Sequence, residues 1–332
     1  MNFVKSKSEL LTFTPKGIYC AQADVFLDPT YAVERAIISH AHSDHARNGS
    51  KYYLSTESSE PALRLRLGKN IPLETLPYGK EIIINGVTFS FFPAGHVIGS
   101  AQIRVEYAGE VWVYSGDYKL EDDGFAEAFE TVKCDTFITE STFGLPIYRW
   151  KPQNLVFDEI NKWWASNASK GICSIILAYS LGKAQRIIKN VDHSIGNIYT
   201  QAAITAMNNV LRDAGCNLPP TIAFMEDTKN SDLNKSLLLV PAASSQQTWL
   251  KEAFPYSIAH ASGWVGLRGN RLGNMFQTGF TLSDHADWPS LNTAVKNTGA
   301  SKIIVTHGYE RHYSRWLREQ GYDAVEAHQL HV

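Results

Sequence analysis

Short apolar stretches alternate along the chain with turn dipeptides, and a polar residue able to bind a metal closes most of them. Ala36-Ile37-Ile38-Ser39 runs into His40-Ala41-His42-Ser43-Asp44-His45. Ile82-Ile83-Ile84, the pair Asn85-Gly86 and the segment from Val87 to Phe92 predict a hairpin, because Asn-Gly supplies the left-handed residues of a tight turn. It leads into Pro93-Ala94-Gly95-His96. A second hairpin is predicted from Ile103 to Tyr107, Ala108-Gly109, and Val111 to Tyr114, and it leads into Ser115-Gly116-Asp117. The stretch from Asp135 to Thr139 ends in Glu140-Ser141-Thr142, and Lys302-Ile303-Ile304-Val305 ends in Thr306-His307-Gly308. Between these lies a strand from Ser174 to Tyr179, a Gly-containing turn, and helical periodicity from Ala184 to Val191. The pattern predicts an α/β chain whose strand-terminal loops carry the chemistry, since loops held on a rigid sheet are where functional groups gather.

Composition narrows the classes. At 332 residues the chain has room for two domains or one elaborate one, and a hydrophobic content of 44% is that of an ordinary globular protein. No apolar run approaches the ~20 residues that span a bilayer, so no membrane association is expected. The start, Met1-Asn2-Phe3-Val4-Lys5-Ser6-Lys7, has no apolar core of a secretory signal. Cys20, Cys134, Cys173 and Cys216 are far apart and form no CxxC, which suits free thiols in a reducing cytoplasm. The net charge of −2 gives no global pull on nucleic acid, so a polyanion would need a local basic groove.

The run from His40 to His45 is hard to explain by packing, because buried polar groups without partners cost several kcal/mol. Imidazole and carboxylate are ligands for zinc, manganese or iron. Two sets of ligands in one loop predict two metals, a pair that typically sits ~3.5–4 Å apart and cleaves phosphate esters. Histidine-rich ligation disfavours magnesium alone. Ser180 and Lys183, between a strand and a helix N-terminus, suit a phosphate contact, or an ordinary βα turn with a capping serine. Arg268 and Arg271 suit backbone phosphates. Trp264 fits either the core or a stacked base, and Arg311 and His312 either line the same cleft or are plain solvated charge.

The combination HxHxDH, Gly-His, Ser-Gly-Asp and a strand-final His resembles the metallo-β-lactamase fold, a four-layer αββα sandwich with a two-metal site on its edge. The resemblance implies that His40, His42 and His96 hold one metal and that Asp44, His45 and His307 hold the other. Asp117 would bridge them, and Asp24 would support the site from behind, with Asp28 its rival. The long interval between Asp117 and His307 carries Glu140-Ser141-Thr142 and Ser283-Asp284-His285-Ala286-Asp287-Trp288. That arrangement is similar to the β-CASP nucleases, whose acidic motif Glu140 matches, whose histidine motif His285 matches and whose last motif His307 matches.

It implies a metallo-β-lactamase domain over 1–150 and 280–332 with an inserted α/β β-CASP domain over 151–279. It also implies a metal-dependent phosphodiesterase that uses a two-metal-bound hydroxide, with zinc or manganese most expected. His285 would be the proton donor and Glu140 its orienting partner. The run from Leu11 to Cys20 and the stretch from Thr281 to Trp288 resemble the ligase-associated exonucleases of the bacterial DNA-damage response. DNA is therefore the expected substrate, with an ATP-dependent DNA ligase and a helicase as functional partners. RNA is the alternative, because RNA-processing members keep a histidine where this chain has His307. A small-ester hydrolase and an inactive scaffold are the remaining readings.

Overall fold

A computed structural model describes residues 9–225, 227–241, 255–265 and 278–330. The chain is a mixed α/β protein, with three sheets among the described residues. The first sheet has six strands in chain order: Thr12–Thr14, Gly17–Cys20, Val25–Leu27, Arg35–Ile37, Tyr52–Thr56 and Leu73–Leu76. The second has seven, ordered across the sheet as Asp323–Glu326, Lys302–Gly308, Thr136–Ser141, Glu110–Tyr114, Ala101–Tyr107, Val87–Pro93 and Glu81–Ile84.

Alternation along the strands explains how these two sheets pack. Phe89, Phe91, Trp112, Tyr114, Ile138 and Ile304 point into a core shared with Phe13, Val25, Leu27 and Ile37 of the first sheet. The residues between them, Val113, Phe137, Ile303 and Val305, point the other way, onto helices Trp288–Thr298 and Glu310–Glu319. The far side of the first sheet, with Ala36 and Tyr53, meets Leu63 of helix Glu60–Leu67 and Met207 of helix Ala202–Asp213. Helices therefore cover both outer faces of a two-sheet sandwich. Both predicted hairpins form, with Asn85 and Gly86 at φ 50° and 84° and Ala108 and Gly109 at 52° and 79°.

The third sheet is drawn from the long interval and is wholly parallel, in the order Ile222–Ala223, Ile198–Thr200, Leu237–Pro241, Cys173–Ala178, Tyr256–Ala261 and Thr278–Phe280. Parallel strands buried on both faces read as continuous apolar runs, and every residue of Cys173–Ala178 is buried. The sheet has its own cores, one of which packs Trp164 and Ile160 of helix Gln153–Ala168 beneath it.

Strand direction places the site. Glu110–Tyr114, Thr136–Ser141 and Lys302–Gly308 are mutually parallel, and Val87–Pro93 runs the same way, two antiparallel steps removed. Their carboxyl ends, which carry Asp117, Glu140, His307 and His96, therefore share one edge. In the first sheet Val25–Leu27 is parallel to Arg35–Ile37, so the loop from His40 to His45 leaves from the same end as Asp28. No helix among the described residues is long and apolar enough to cross a membrane.

Candidate metal centre

The residues from His40 to His45 make a tight turn in which the amide of Ala46 donates to the carbonyl of His42 at 2.8 Å. Ring centroids of His40 and His42 lie 4.8 Å apart, and those of His40 and His45 4.1 Å. His96 joins from the second sheet, its Nε2 3.0 Å from His42 Nδ1. Asp117 lies at the middle: Oδ2 is 3.6 Å from His40 Nε2, 3.4 Å from His45 Nε2 and 3.8 Å from His96 Nε2, and Oδ1 is 3.7 Å from His307 Nδ1. Among the described residues, four groups have ligand atoms close enough to share an ion: His40, His42, His96 with Asp117; Asp28 with His40 and His45; His45, Asp117 with His307; and Asp117, Glu140 with His285.

His307 reaches the centre through a bulge. Glu140 pairs with Thr306 but Ser141 pairs with Gly308, so His307 is the extra residue, held at φ 53°. Bulges re-aim side chains in this way beside functional sites. Gly308 follows at φ 81°, where an added Cβ would lie 2.4 Å from the Ser141 carbonyl oxygen, so only glycine fits.

Four of the rings are oriented from behind. His45 Nδ1 donates to Asp28 Oδ2 at 2.7 Å. His40 Nδ1 donates at 3.0 Å to Ser39 Oγ, which itself donates to Asp28 Oδ2 at 2.5 Å. The outer nitrogens of His96 and His42 donate to backbone carbonyls, Asp284 at 2.7 Å and Leu181 at 3.2 Å. The inner nitrogens of the neutral rings are then lone-pair donors, and His42 Nδ1 and His96 Nε2 face each other at 3.0 Å. Two lone pairs at that distance repel unless a cation lies between or beside them.

His40 Nε2, His45 Nε2 and Asp117 Oδ1 are buried with no hydrogen-bond partner. The donor set therefore fits divalent metal.

The neutral state of His40, His42 and His96 agrees with this fit. Burial, reinforced by the neighbouring histidines, holds His40 and His96 well below the ordinary imidazole range, and burial also lowers His42. At His45 burial pulls down, but Asp117 and Asp28 together outweigh it and raise the ring well above its usual range. At Asp117 burial pushes up, but His45 and His285 outweigh it and hold the carboxyl well below its usual range.

Beside Asp117 stands a second pair. His285 Nδ1 lies 3.0 Å from Glu140 Oε2, and Glu140 Oε1 accepts the Tyr118 amide at 2.7 Å. Burial would lower His285, but the Glu140 and Asp117 carboxylates raise it to about 9.

Several expectations are corrected. Asp24 is exposed and accepts only the Tyr19 hydroxyl, at 2.8 Å. Asp28 takes the supporting place, accepting the Ser39 amide and hydroxyl, the His45 ring and, at 3.0 Å, the Tyr114 hydroxyl. Lys183 is buried and paired with Asp284 Oδ2 at 3.2 Å, so it is not presented to a phosphate. The turn at Ser180 is filled from within, since Gln185 Nε2 donates to the Ser180 carbonyl and Gln185 Oε1 accepts the Gly182 amide. Arg268 and Arg271 lie outside the described residues. Trp264 is not core: it is 40% exposed, its ring 4.8 Å from that of Phe143. Asp44 is at the centre's rim with a 72% exposed side chain, Oδ2 3.8 Å from His45 Nε2. Motif reading missed Ser39, Tyr114 and the carbonyl of Leu181, which carry no chemical signature of their own.

The chain is 27% identical over 311 residues to a probable DNA ligase from Opitutus terrae, a match covering 93% of this chain and 30% of that protein. It is 34% identical over 122 residues to the endoribonuclease YSH1 of Eremothecium gossypii, covering 36% of this chain and 16% of that one. It is 24% identical over 296 residues to cleavage and polyadenylation specificity factor 73 of Drosophila melanogaster, covering 73% and 43%. The chain is a homologue of the β-CASP nucleases. The similarity extends beyond the motifs, over 93% of this chain for the probable DNA ligase and 73% for the polyadenylation factor, and the chain spans less than half the length of these relatives. No family model matches it. Among solved structures, a protein of unknown function from Enterococcus faecalis V583 shares the fold, with a TM-score of 0.54 and 13% identity over 83% of this chain and 76% of that one.

Proposed function

We propose that this protein is a metal-dependent nuclease that hydrolyses phosphodiester bonds, a DNA exonuclease acting in repair. The observation that carries the reading is the convergence of His40, His45 and His96 nitrogens on Asp117, whose Oδ2 lies 4.0 Å from Nδ1 of the Glu140-supported His285. His40, His42 and His96 would hold one divalent ion, Asp44, His45 and His307 a second, with Asp117 shared, and the imidazole-rich set favours zinc or manganese. Such ions would supply hydroxide near neutral pH, by lowering the pKa of water, and would offset charge on the phosphate oxygens. The chain's own residues do the rest. Glu140 holds His285 Nδ1, leaving Nε2 to deliver a proton to the departing oxygen. Asp28 keeps His40 and His45 in the tautomers that face inward.

The two-sheet sandwich is read as a metallo-β-lactamase domain over 1–150 and 280–332, and the third-sheet unit over 151–279 as an inserted β-CASP domain. DNA is favoured because nearly the whole chain aligns within under a third of a protein named as a probable DNA ligase. That match also supports a DNA ligase as functional partner, and a helicase is proposed with it by family resemblance. RNA is the second reading, supported by the relatives named endoribonuclease and polyadenylation factor. The four free cysteines support a reducing cytoplasm. The test is a gel with 5′- and 3′-labelled single- and double-stranded DNA and RNA under zinc, manganese or magnesium. No cleavage of any of them in any metal would overturn the reading.

A further inference from the structure

The third-sheet unit contributes a buried cationic pair that the chemistry above does not use. Helix Lys183–Asn190 presents Lys183 and Arg186 to the turn that carries His285. Arg186 is 2% exposed, and its Nη1 and Nε reach partners in both units. Nη1 donates to the Ser283 carbonyl at 2.5 Å and to Asp284 Oδ1 at 3.2 Å, while Nε donates to Gln153 Oε1 at 3.0 Å and lies 3.9 Å from Asp123 Oδ2. Lys183 Nζ holds the other Asp284 oxygen at 3.2 Å. The backbone of that same Asp284 accepts His96 Nδ1, and the next residue is His285.

The approach is close: a Cβ on Gly182, at φ 92°, would lie 2.4 Å from Val97 Cγ1. Buried charges are expensive unless paired, and replacing a buried ion pair by apolar residues is often neutral or stabilising. A triad of this kind is poor at adding stability and well suited to fixing a geometry. A planar guanidinium fixes direction as well as distance, which a flexible ammonium does not.

We propose that Arg186 and Lys183 are positioning residues through which the third-sheet unit fixes the Ser283–His285 turn, and with it the proton donor His285 and the ring of His96. The sandwich then carries the reacting groups, but their final placement depends on a helix outside it. The inference rests on His285 being the proton donor.

The experiment compares a natural oligonucleotide with a nitrophenyl phosphodiester, whose leaving group departs without a proton, for wild type, Arg186→Gln, Arg186→Lys and His285→Ala. Metal affinity and melting temperature are measured in parallel. A misplacement of about 1 Å costs up to ~10²-fold in rate, so Arg186→Gln should slow the oligonucleotide ~10–10²-fold more than the nitrophenyl ester. Arg186→Lys, which keeps the charge but not the fork, should fall between it and wild type, and it carries the test if Arg186→Gln does not fold. Both Arg186 variants should also bind metal more weakly, through His96.

Equal slowing of both substrates by the Arg186 variants, with His285→Ala selective, would reduce the pair to a structural role and overturn the clamp. If His285→Ala itself slows both substrates equally, the proton-donor reading fails and the clamp falls with it.

Discussion

Glu140 Oε2 and His285 Nδ1 lie 3.0 Å apart although 145 residues separate them in the chain. The carboxylate ends a central strand of the second sheet, and the imidazole sits where the chain returns from the third. The pair stands beside Asp117, with His285 Nδ1 4.0 Å from Asp117 Oδ2 and its ring centroid 4.6 Å from that of His96. In the proposed mechanism this pair delivers the proton, while the rings around Asp117 hold the metal.

His285→Ala should therefore leave metal content nearly intact and slow cleavage of natural phosphodiesters by ~10²–10⁴-fold, the usual contribution of a general acid. A nitrophenyl phosphodiester should suffer much less. Metal analysis alongside kinetics on both substrates checks this, and loss of an ion in the variant would make His285 a ligand.

The pH dependence follows from the same pair. Glu140 and Asp117 outweigh burial and raise His285 to about 9, so its acid form persists through neutral pH. Glu140→Gln removes the main raising charge, and the alkaline limb of the rate profile should move to lower pH. Folding is linked with the same sign. The stabilisation from a raised histidine is full below its ordinary value of about 6.5 and is lost as pH rises through its folded value. Melting temperature of metal-free protein between neutral pH and pH 10 should fall less steeply in Glu140→Gln than in wild type.

Asp117→Ala should impair binding of every ion at the centre, because Asp117 faces His40, His45 and His96 through one oxygen and His307 through the other. Calorimetric titration with zinc or manganese should show both binding steps weakened. One unaltered site would mean that Asp117 does not bridge.

The two aspartates that flank strand Val25–Leu27 should behave oppositely. Removing an outer partner of a metal-binding histidine typically costs 10–100-fold in affinity, and Asp28→Ala removes one that serves both His40 and His45. Asp24→Ala, at an exposed position, should change stability by no more than about 0.5 kcal/mol and leave metal affinity alone. The reverse ranking would restore Asp24 to the site.

Chelation should lower the melting temperature as well as activity, since the orphaned His40, His45 and Asp117 atoms lose their partner. An ion present at 100 times its Kd stabilises by about 2.7 kcal/mol. Scanning calorimetry with a chelator, then with excess zinc or manganese, should show the loss and its recovery.

Much of this molecule was legible in the chain. Asn85-Gly86 announces its hairpin because few other pairs accept two left-handed residues, and alternation through Val87–Pro93 assigns Phe89 and Phe91 to the core. His40, His42, His45, His96, Asp117 and His307 could be expected at one centre because their motifs, taken together, resemble those of the metallo-β-lactamase fold, although any one of them alone reads as a structural polar group. The choice between Asp24 and Asp28 was not legible, since both adjoin the same short strand. The parallel pairing of Val25–Leu27 with Arg35–Ile37 decided it, by bringing the carboxyl end of one to the carboxyl end of the other. A strand of three residues then leaves Asp24 roughly 10 Å away at the opposite end. Lys183 reads as a free cation in a Gly-containing turn, and only the docking of the third-sheet unit shows that Asp284 already neutralises it. Local pattern specifies which groups a loop offers. Which of them face the centre, and which are taken by a neighbour, depends on strand direction and on contacts between segments far apart in the chain, and those exist only once the sheets have packed.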